Sequence, residues 1–143
     1  MKKLVFFTFL TLLLSSCSSS PEEQITNLEG YWQIQTAELP EGITKEFRFS
    51  ELVDYIEVDG KEGYRTKVRP QLGGKFLTSE TQEKFSIKVE NDSVNLYYKT
   101  PFNSWKETVL SSEEEELKIL NPKGIIYTYK RFTPYSSDYG QEK

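Results

Sequence analysis

Strict two-residue alternation around one tight turn is the feature of this sequence that most constrains its fold. Apolar residues occupy every second position on both sides of Asn91-Asp92, namely Phe85, Ile87, Val89, Val94, Leu96 and Tyr98. Successive side chains of a strand point to opposite faces of a sheet, so each run has one apolar face. Asn and Asp are favoured in short hairpin turns. The segment therefore predicts an antiparallel hairpin whose apolar face lies against a core.

Further short segments of the same kind follow one another along the chain, with turn residues between them. They include residues 32–36, 55–58, 64–68, 105–110 and 125–132, and turns are indicated at Asp59-Gly60, Gly73-Gly74 and 121–124. Aromatic residues make up 14% of the chain, which favours strands over helices. Consecutive short antiparallel strands of this kind form an up-and-down barrel or a strongly bent sandwich. We predict an all-β fold, an antiparallel up-and-down barrel of eight or nine strands, because closure removes exposed sheet edges.

Composition excludes several classes of function. The chain has no histidine and one cysteine, Cys17. This excludes Ser-His-Asp and Cys-His catalysis, the usual zinc sites and a disulfide within the chain. The net charge of −4 argues against nucleic acid as a partner. We therefore predict a non-enzymatic protein with no cofactor and no metal.

The first residues form a secretory signal. Lys2 and Lys3 precede an apolar run over residues 4–14, which is shorter than the roughly 20 residues that a membrane-spanning helix needs. The sequence Leu14-Ser15-Ser16-Cys17 then resembles a bacterial lipobox. The resemblance implies cleavage before Cys17, acylation of that cysteine (palmitate) and anchorage in a bacterial cell envelope. Ser18 stands where an aspartate would signal inner-membrane retention, which favours the outer membrane and leaves its periplasmic or surface face open.

These features divide the chain into four parts. Residues 1–16 are the predicted signal peptide, and residues 17–26 are the lipidated cysteine with a flexible tether. Residues 27–134 form the barrel domain, and residues 135–143 form a polar tail. The tether is predicted because Ser, Glu and Gln after Cys17 offer too little apolar surface for an ordered structure.

Two separated motifs resemble the lipocalin signature. Gly30-Tyr31-Trp32 opens the first predicted strand, and Arg131 lies near the end of the last. In lipocalins such a tryptophan at the barrel base stacks against an arginine of the closing strand, a favourable cation–π contact. Together with residues 98–107 and 127–132, the motif resembles the small lipocalin-like lipoproteins of Bacteroidetes. The resemblance implies a lipocalin-like barrel in which Gly30, Trp32 and Arg131 are structural.

An eight-stranded barrel is filled by side chains or holds one small ligand. Four aromatic residues are candidates for lining a ligand-binding mouth: Tyr98, Trp105, Tyr127 and Tyr129. Each has a flat apolar face, and the tyrosines also carry a polar tip. The alternative, which the alternation of the strands favours, is that these rings belong to a filled core.

The charged residues allow two interpretations each. Glu107 is expected in solvent; if it points inward it needs a partner, and Arg131 or a tyrosine hydroxyl is a candidate. The basic stripe Arg65, Lys67 and Arg69 is expected to be a solvated strand face, with an anion contact as the alternative. The four acids at 113–116 are expected to form a solvated loop and not a calcium site.

Three functions follow in order of preference. The first is a membrane-anchored, non-enzymatic lipocalin-like protein that binds a small apolar or amphipathic molecule or serves as an envelope accessory domain. The second is a protein-interaction module that uses exposed residues such as Tyr97 and the basic stripe. The third is a glycosidase that uses Glu107 and another carboxylate.

Overall fold

The structure, a computed structural model, describes residues 18–134. The signal peptide, Cys17 and the polar tail 135–143 lie outside the described residues. One short helix, α1 (Pro21–Leu28), is followed by nine strands. They are β1 (Gly30–Glu38), β2 (Thr44–Glu46), β3 (Val53–Asp59), β4 (Glu62–Pro70), β5 (Phe76–Glu90), β6 (Ser93–Lys99), β7 (Ser104–Ser112), β8 (Glu116–Leu120) and β9 (Ile126–Arg131).

All strand pairings are antiparallel, and the sheet closes on itself. The strand order is β2-β1-β3-β4-β5-β6-β7-β8-β9, and β1 also pairs with β9. Closure depends on the length of β1, whose first residues pair with β3 while 32–38 pair with β9. Strand β2 adds only to the last three residues of β1. The result is an eight-stranded closed barrel with one extra strand, which confirms the predicted all-β antiparallel barrel.

The β5–β6 hairpin has the predicted register. Phe85 pairs with Tyr98 and Ile87 with Leu96, and all four side chains are buried. Asn91 and Asp92 have φ values of 50° and 60°, the left-handed conformation that a two-residue hairpin turn of this type requires. Val89 differs from its neighbours and is 49% exposed. The reason is that β5 continues beyond the last β4 pair, Glu62 with Ser86, so Val89 lacks a neighbour on that side.

Helix α1 corrects the extent of the flexible tether. Residues from Pro21 onward are helical, so the predicted tether over 17–26 ends before them. The Ser20 side chain caps the helix by accepting from the Glu23 amide, and Pro21 occupies the first turn. An eight-residue helix is marginal by itself. Its only apolar side chains, Ile25 and Leu28, lie three residues apart on one face and pack on the barrel core, which stabilises it.

Aromatic side chains also form a cluster outside the barrel wall. Tyr31 pairs with Tyr55 on the face opposite Trp32, and its ring stacks on Phe76 with centroids 4.3 Å apart. Phe76 in turn contacts Phe132, at 6.4 Å. The first part of β5 therefore packs against the outer face of β1. The aromatic residues of this chain thus serve two separate packed regions, and only one of them is the barrel interior.

Tyr64 extends this outer cluster and will titrate abnormally. Its hydroxyl donates to Glu57 Oε2 at 2.7 Å, and the hydrogen bond with the carboxylate raises the pKa of Tyr64 to about 12. Because the folded pKa lies above the unfolded value of about 10, this contact stabilises the fold below pH 10 and is lost as the pH rises toward 12. We expect tyrosinate absorbance to show a step near pH 12 in the folded protein.

The matched variants assign that step. Tyr64→Phe should remove one tyrosine from it, and Glu57→Gln should move it toward pH 10 because the acceptor loses its charge. Circular dichroism at each pH checks that the barrel remains folded. A step near pH 12 that is unchanged in Tyr64→Phe would contradict the assignment.

Candidate functional site

The end of the barrel next to α1 is closed by Trp32 and Arg131. These two residues are paired across β1 and β9, and the Arg131 Cζ atom lies 4.1 Å from the Trp32 ring centroid. Trp32 is 1% exposed, and its Nε1 donates to the Leu28 carbonyl at 2.8 Å. The stacking that the lipocalin resemblance implies is thus present in this structure.

Arg131 also joins three chain segments at this end. Its guanidinium donates to the carbonyls of Asn27 and Glu29, each at 2.8 Å, and to that of Glu114 in the β7–β8 turn. Gly30 lies directly beside it, since a Cβ atom added there would stand 2.4 Å from Arg131 Nη1. Gly30 also has φ 129°, which L side chains rarely adopt. Any other residue at position 30 would therefore have a strained backbone and would force the Arg131 guanidinium to move.

A charged network occupies the middle of the barrel. Arg65 Nη1 lies 3.1 Å from Glu107 Oε2, and Arg65 Nε lies 3.1 Å from Glu83 Oε1. The guanidinium also covers the Tyr98 ring, with Cζ 4.7 Å from the centroid. Trp105 stacks on Tyr98 at 4.9 Å and donates from Nε1 to Glu107 at 3.3 Å. These five side chains, here called the Arg65 network, fill the space that a larger ligand would need.

The network overturns two expectations about charge. Glu107 is 7% exposed and points inward, so the expectation that it is solvated was wrong. Its partner is Arg65, and neither Arg131 nor a tyrosine hydroxyl, because Arg131 lies at the closed end of the barrel. The register explains the geometry: Arg65 is opposite the buried Ile56 and therefore shares the interior face of the sheet.

The expectation of a solvated basic stripe on β4 was wrong for Arg65, whose side chain is 13% exposed, but Lys67 and Arg69 are exposed to solvent as expected. Each of its three members pairs with a carboxylate, Arg65 with Glu83 and Glu107, Lys67 with Asp54, and Arg69 with Glu51. Burial lowers the pKa of Arg65, but Tyr98, Glu107 and Glu83 outweigh that effect and raise it well above its usual value. Arg65 is therefore a permanent cation inside the barrel. Asp54 and Glu83, which complete these pairs, were not recognised as interior residues from the sequence.

A small cavity lies inside the barrel, toward the end opposite α1. It has a volume of about 150 Å³ and is lined by Trp32, Ile34, Ser50, Leu52, Asp54, Lys67 and Tyr129. A cavity of this volume accommodates roughly a benzene ring. Its wall combines apolar side chains with the Asp54–Lys67 ion pair. The cavity can therefore accept a small group that is apolar on one side and polar on the other.

Of the four aromatic candidates, only Tyr129 lines this cavity. Tyr98 and Trp105 belong to the Arg65 network, and Tyr127 packs beside Tyr129 with ring centroids 6.4 Å apart. Burial raises the pKa of Tyr129, so its hydroxyl stays protonated and can donate to a ligand. Tyr98 is also buried, and its hydroxyl has no hydrogen-bond partner among the described residues.

A wider groove of about 690 Å³ lies outside the barrel, between α1 and β5, where Ile25, Ile87 and Val89 contribute its apolar surface. Its remaining walls are the β3–β4 turn and polar side chains of β4 and β5, all of which are exposed to solvent. We take the interior cavity as the candidate site because aromatic, apolar and polar groups converge there.

Two other features of the described residues bear on the site. Residues 18–134 contain no group of three or more metal-ligating side chains arranged around one point. Within the same residues, no helix has the length and apolar character needed to cross a bilayer.

The geometry is that of a lipocalin-like barrel, and comparison with known proteins agrees. A family model described as a lipocalin-like domain matches residues 28–119. The chain therefore belongs to the lipocalin-like domain family. It is similar to the solved structure of a lipocalin-like protein from Bacteroides uniformis, with 10% identity, a TM-score of 0.46 and coverage of 74% of this chain and 99% of that one. A search of curated proteins gave no match.

Proposed function

We propose that this protein is a lipid-anchored lipocalin-like protein of a bacterial envelope that binds one small amphipathic molecule and has no enzymatic activity. The observation that carries the proposal is the interior cavity, whose lining combines the apolar Trp32, Ile34 and Leu52 with Tyr129 and the Asp54–Lys67 ion pair. Its volume of about 150 Å³ limits the enclosed part of the ligand to a single ring or a short alkyl chain.

The anchor is supported by the sequence of the first 17 residues. The lipobox-like Leu14-Ser15-Ser16-Cys17 follows a short apolar run and contains the only cysteine of the chain. A free thiol in an oxidising compartment would be a liability, and acylation removes it. Two or three acyl chains on one cysteine provide a stable anchor. Ser18 makes the outer membrane the favoured location.

A non-enzymatic role is supported by the condition of the buried acids. Both Glu107 oxygens accept hydrogen bonds from Arg65, and Oε1 also accepts from Trp105. Such a carboxylate is not free to attack a sugar or to transfer a proton, as a glycosidase would require. Asp54 is likewise held by Lys67. Each buried acid thus serves an ion pair within the barrel wall.

Native mass spectrometry of the full chain, extracted from its own membrane, tests both parts of the proposal. We expect the mass of an acylated Cys17 and a second, noncovalent mass from a small bound molecule. An unmodified precursor would contradict the proposal that Cys17 is acylated. An acylated protein with no bound molecule would contradict the proposal that the barrel binds a small ligand.

Ile34→Trp should reduce the bound fraction by at least about tenfold, because the larger ring occupies the cavity. A tenfold loss of affinity corresponds to about 1.4 kcal/mol of binding free energy. Leu110→Trp is the matched control, since Leu110 is 44% exposed on the barrel and does not line the cavity. Thermal unfolding of both variants checks that overpacking has not unfolded the barrel. Equal occupancy in the two variants would place the ligand elsewhere.

A second candidate function, a protein-interaction module, is favoured by three exposed apolar side chains. Phe49, Leu72 and Phe102 are 80%, 90% and 97% exposed, in connections that leave the barrel at the end opposite α1. Aromatic side chains such as those of Phe49 and Phe102 are enriched at protein interfaces. A photo-crosslinker at Phe102 should recover one recurrent partner in the intact envelope, and a matching crosslinker at Lys61 should not.

A further inference from the structure

The N-terminal segment leaves the barrel at the end that α1 closes. The Ser19 hydroxyl donates to Glu113 Oε1 in the β7–β8 turn at 2.5 Å. The Gln24 side chain donates to the Ser19 carbonyl at 3.1 Å, and Asn27 donates to the Ser112 carbonyl at 3.1 Å. Ser19 is therefore held against this end of the barrel by contacts on both sides.

The length of chain between Cys17 and Ser19 is short compared with the length of the barrel. Two residues of extended chain reach at most about 7 Å, so Cys17 lies within that distance of Ser19. Strand β7 has nine residues and is roughly 30 Å long. With the tilt usual in barrels, the mouth at the other end is roughly 20 Å farther along the barrel axis. The chain between Cys17 and Ser19 is therefore too short to let the cavity mouth touch the membrane in which an acylated Cys17 is anchored.

We infer that an acyl anchor on Cys17 orients the barrel, with the α1 end toward the membrane and the cavity mouth directed away from it. The cavity then exchanges its ligand with the aqueous side or with a partner there, and not with the lipid of its own membrane. This inference rests on the lipid anchor in the proposed function.

The charges show that the tether, and not attraction to lipid, sets this orientation. The α1 end, comprising α1, the turns beside it and the three strand residues nearest to each turn, carries twelve acidic residues and five basic ones. The acids are Glu22, Glu23, Glu29, Glu57, Asp59, Glu62, Glu90, Asp92, Glu113, Glu114, Glu115 and Glu116, and the bases are Lys61, Lys88, Lys118, Lys130 and Arg131. Anionic headgroups repel such a surface over about 8 Å at physiological salt. Without the short tether, an anionic membrane would not favour this end.

Energy transfer from the protein to the membrane surface tests the orientation. The full acylated chain is reconstituted into phosphatidylcholine vesicles that carry an acceptor dye on their headgroups. Because acylation occupies the only native thiol, a single introduced cysteine can be labelled, either Lys61→Cys at the α1 end or Phe102→Cys at the mouth. We expect transfer from position 61 to be at least about twofold more efficient than from position 102, given the roughly 20 Å difference in height.

A linker variant supplies the matched control. Inserting about twenty Gly and Ser residues between Ser18 and Ser19 gives a flexible span of roughly 25 Å, which is comparable to the barrel. We expect the difference between the two positions to disappear on neutral vesicles. If the difference persists with the linker, the tether does not set the orientation and the inference is wrong.

Mass spectrometry of the reconstituted protein distinguishes a failure of the proposed anchor from a failure of the proposed orientation. An unacylated Cys17 would overturn the anchor of the proposed function and this inference with it. An acylated Cys17 combined with equal or stronger transfer from position 102 would overturn the orientation alone.

Discussion

Arg65→Met is expected to destabilise the barrel by about 3–5 kcal/mol, the usual cost of removing one partner from a buried ion pair. The substitution leaves Glu107 inside the barrel without its counter-charge and removes the cation that covers the Tyr98 ring. Urea unfolding followed by tryptophan fluorescence measures the loss. Trp105 reports directly because it belongs to the same network.

Two further variants separate charge from packing. Arg69→Met lies on the same strand, but its partner Glu51 is exposed, so we expect a loss below about 1 kcal/mol. The double variant Arg65→Met with Glu107→Leu removes both charges and should recover a large part of the stability lost in the single variant. A cost for Arg65→Met no greater than that for Arg69→Met would mean that the network does not stabilise the fold.

Gly30→Ala is the second substitution with a large expected effect, about 3 kcal/mol. Backbone strain at φ 129° accounts for roughly 1–3 kcal/mol of this. The remainder arises because the new Cβ would meet Arg131 Nη1 at 2.4 Å and displace the guanidinium from Trp32 and from the carbonyls that it joins. The free energy of unfolding measures the total.

The matched control is Gly73→Ala. Gly73 also has a positive φ, 81°, but an added Cβ meets nothing within 4 Å there, so only strain is introduced. In an Arg131→Ala background the cost of Gly30→Ala should fall to the backbone strain alone, because the steric part has been removed. Costs that add independently would show that Arg131 does not contact position 30 in solution.

The hairpins of this barrel were predictable because their determinants are local. Asn91 and Asp92 favour a positive φ, and the alternation around them allows one register in which Phe85 and Tyr98 are both buried. Trp32 and Arg131 were predictable for a different reason, since their contact follows from the family resemblance. Helix α1 was missed because its stability comes from docking Ile25 and Leu28 on the core, which composition does not reveal.

The interior charges also could not be predicted, because their pairing depends on the tertiary structure. Arg65 and Glu107 are 42 residues apart, and nothing near either residue indicates that the other is its partner. A charged residue in an alternating strand is ordinarily solvated. It can lie inside only when several strands, each in its own register, bring opposite charges to one point.

By itself, the amino-acid sequence determined the strands, their turns and the antiparallel hairpins, because side-chain alternation and turn conformation act over a few residues. Only the tertiary structure decided what the barrel contains: the Arg65 network in its middle, a cavity for no more than a small group, and α1 across one end. Those features depend on the pairing of strands that are distant in the chain, and the free energy of a buried charge or cavity depends on everything that surrounds it.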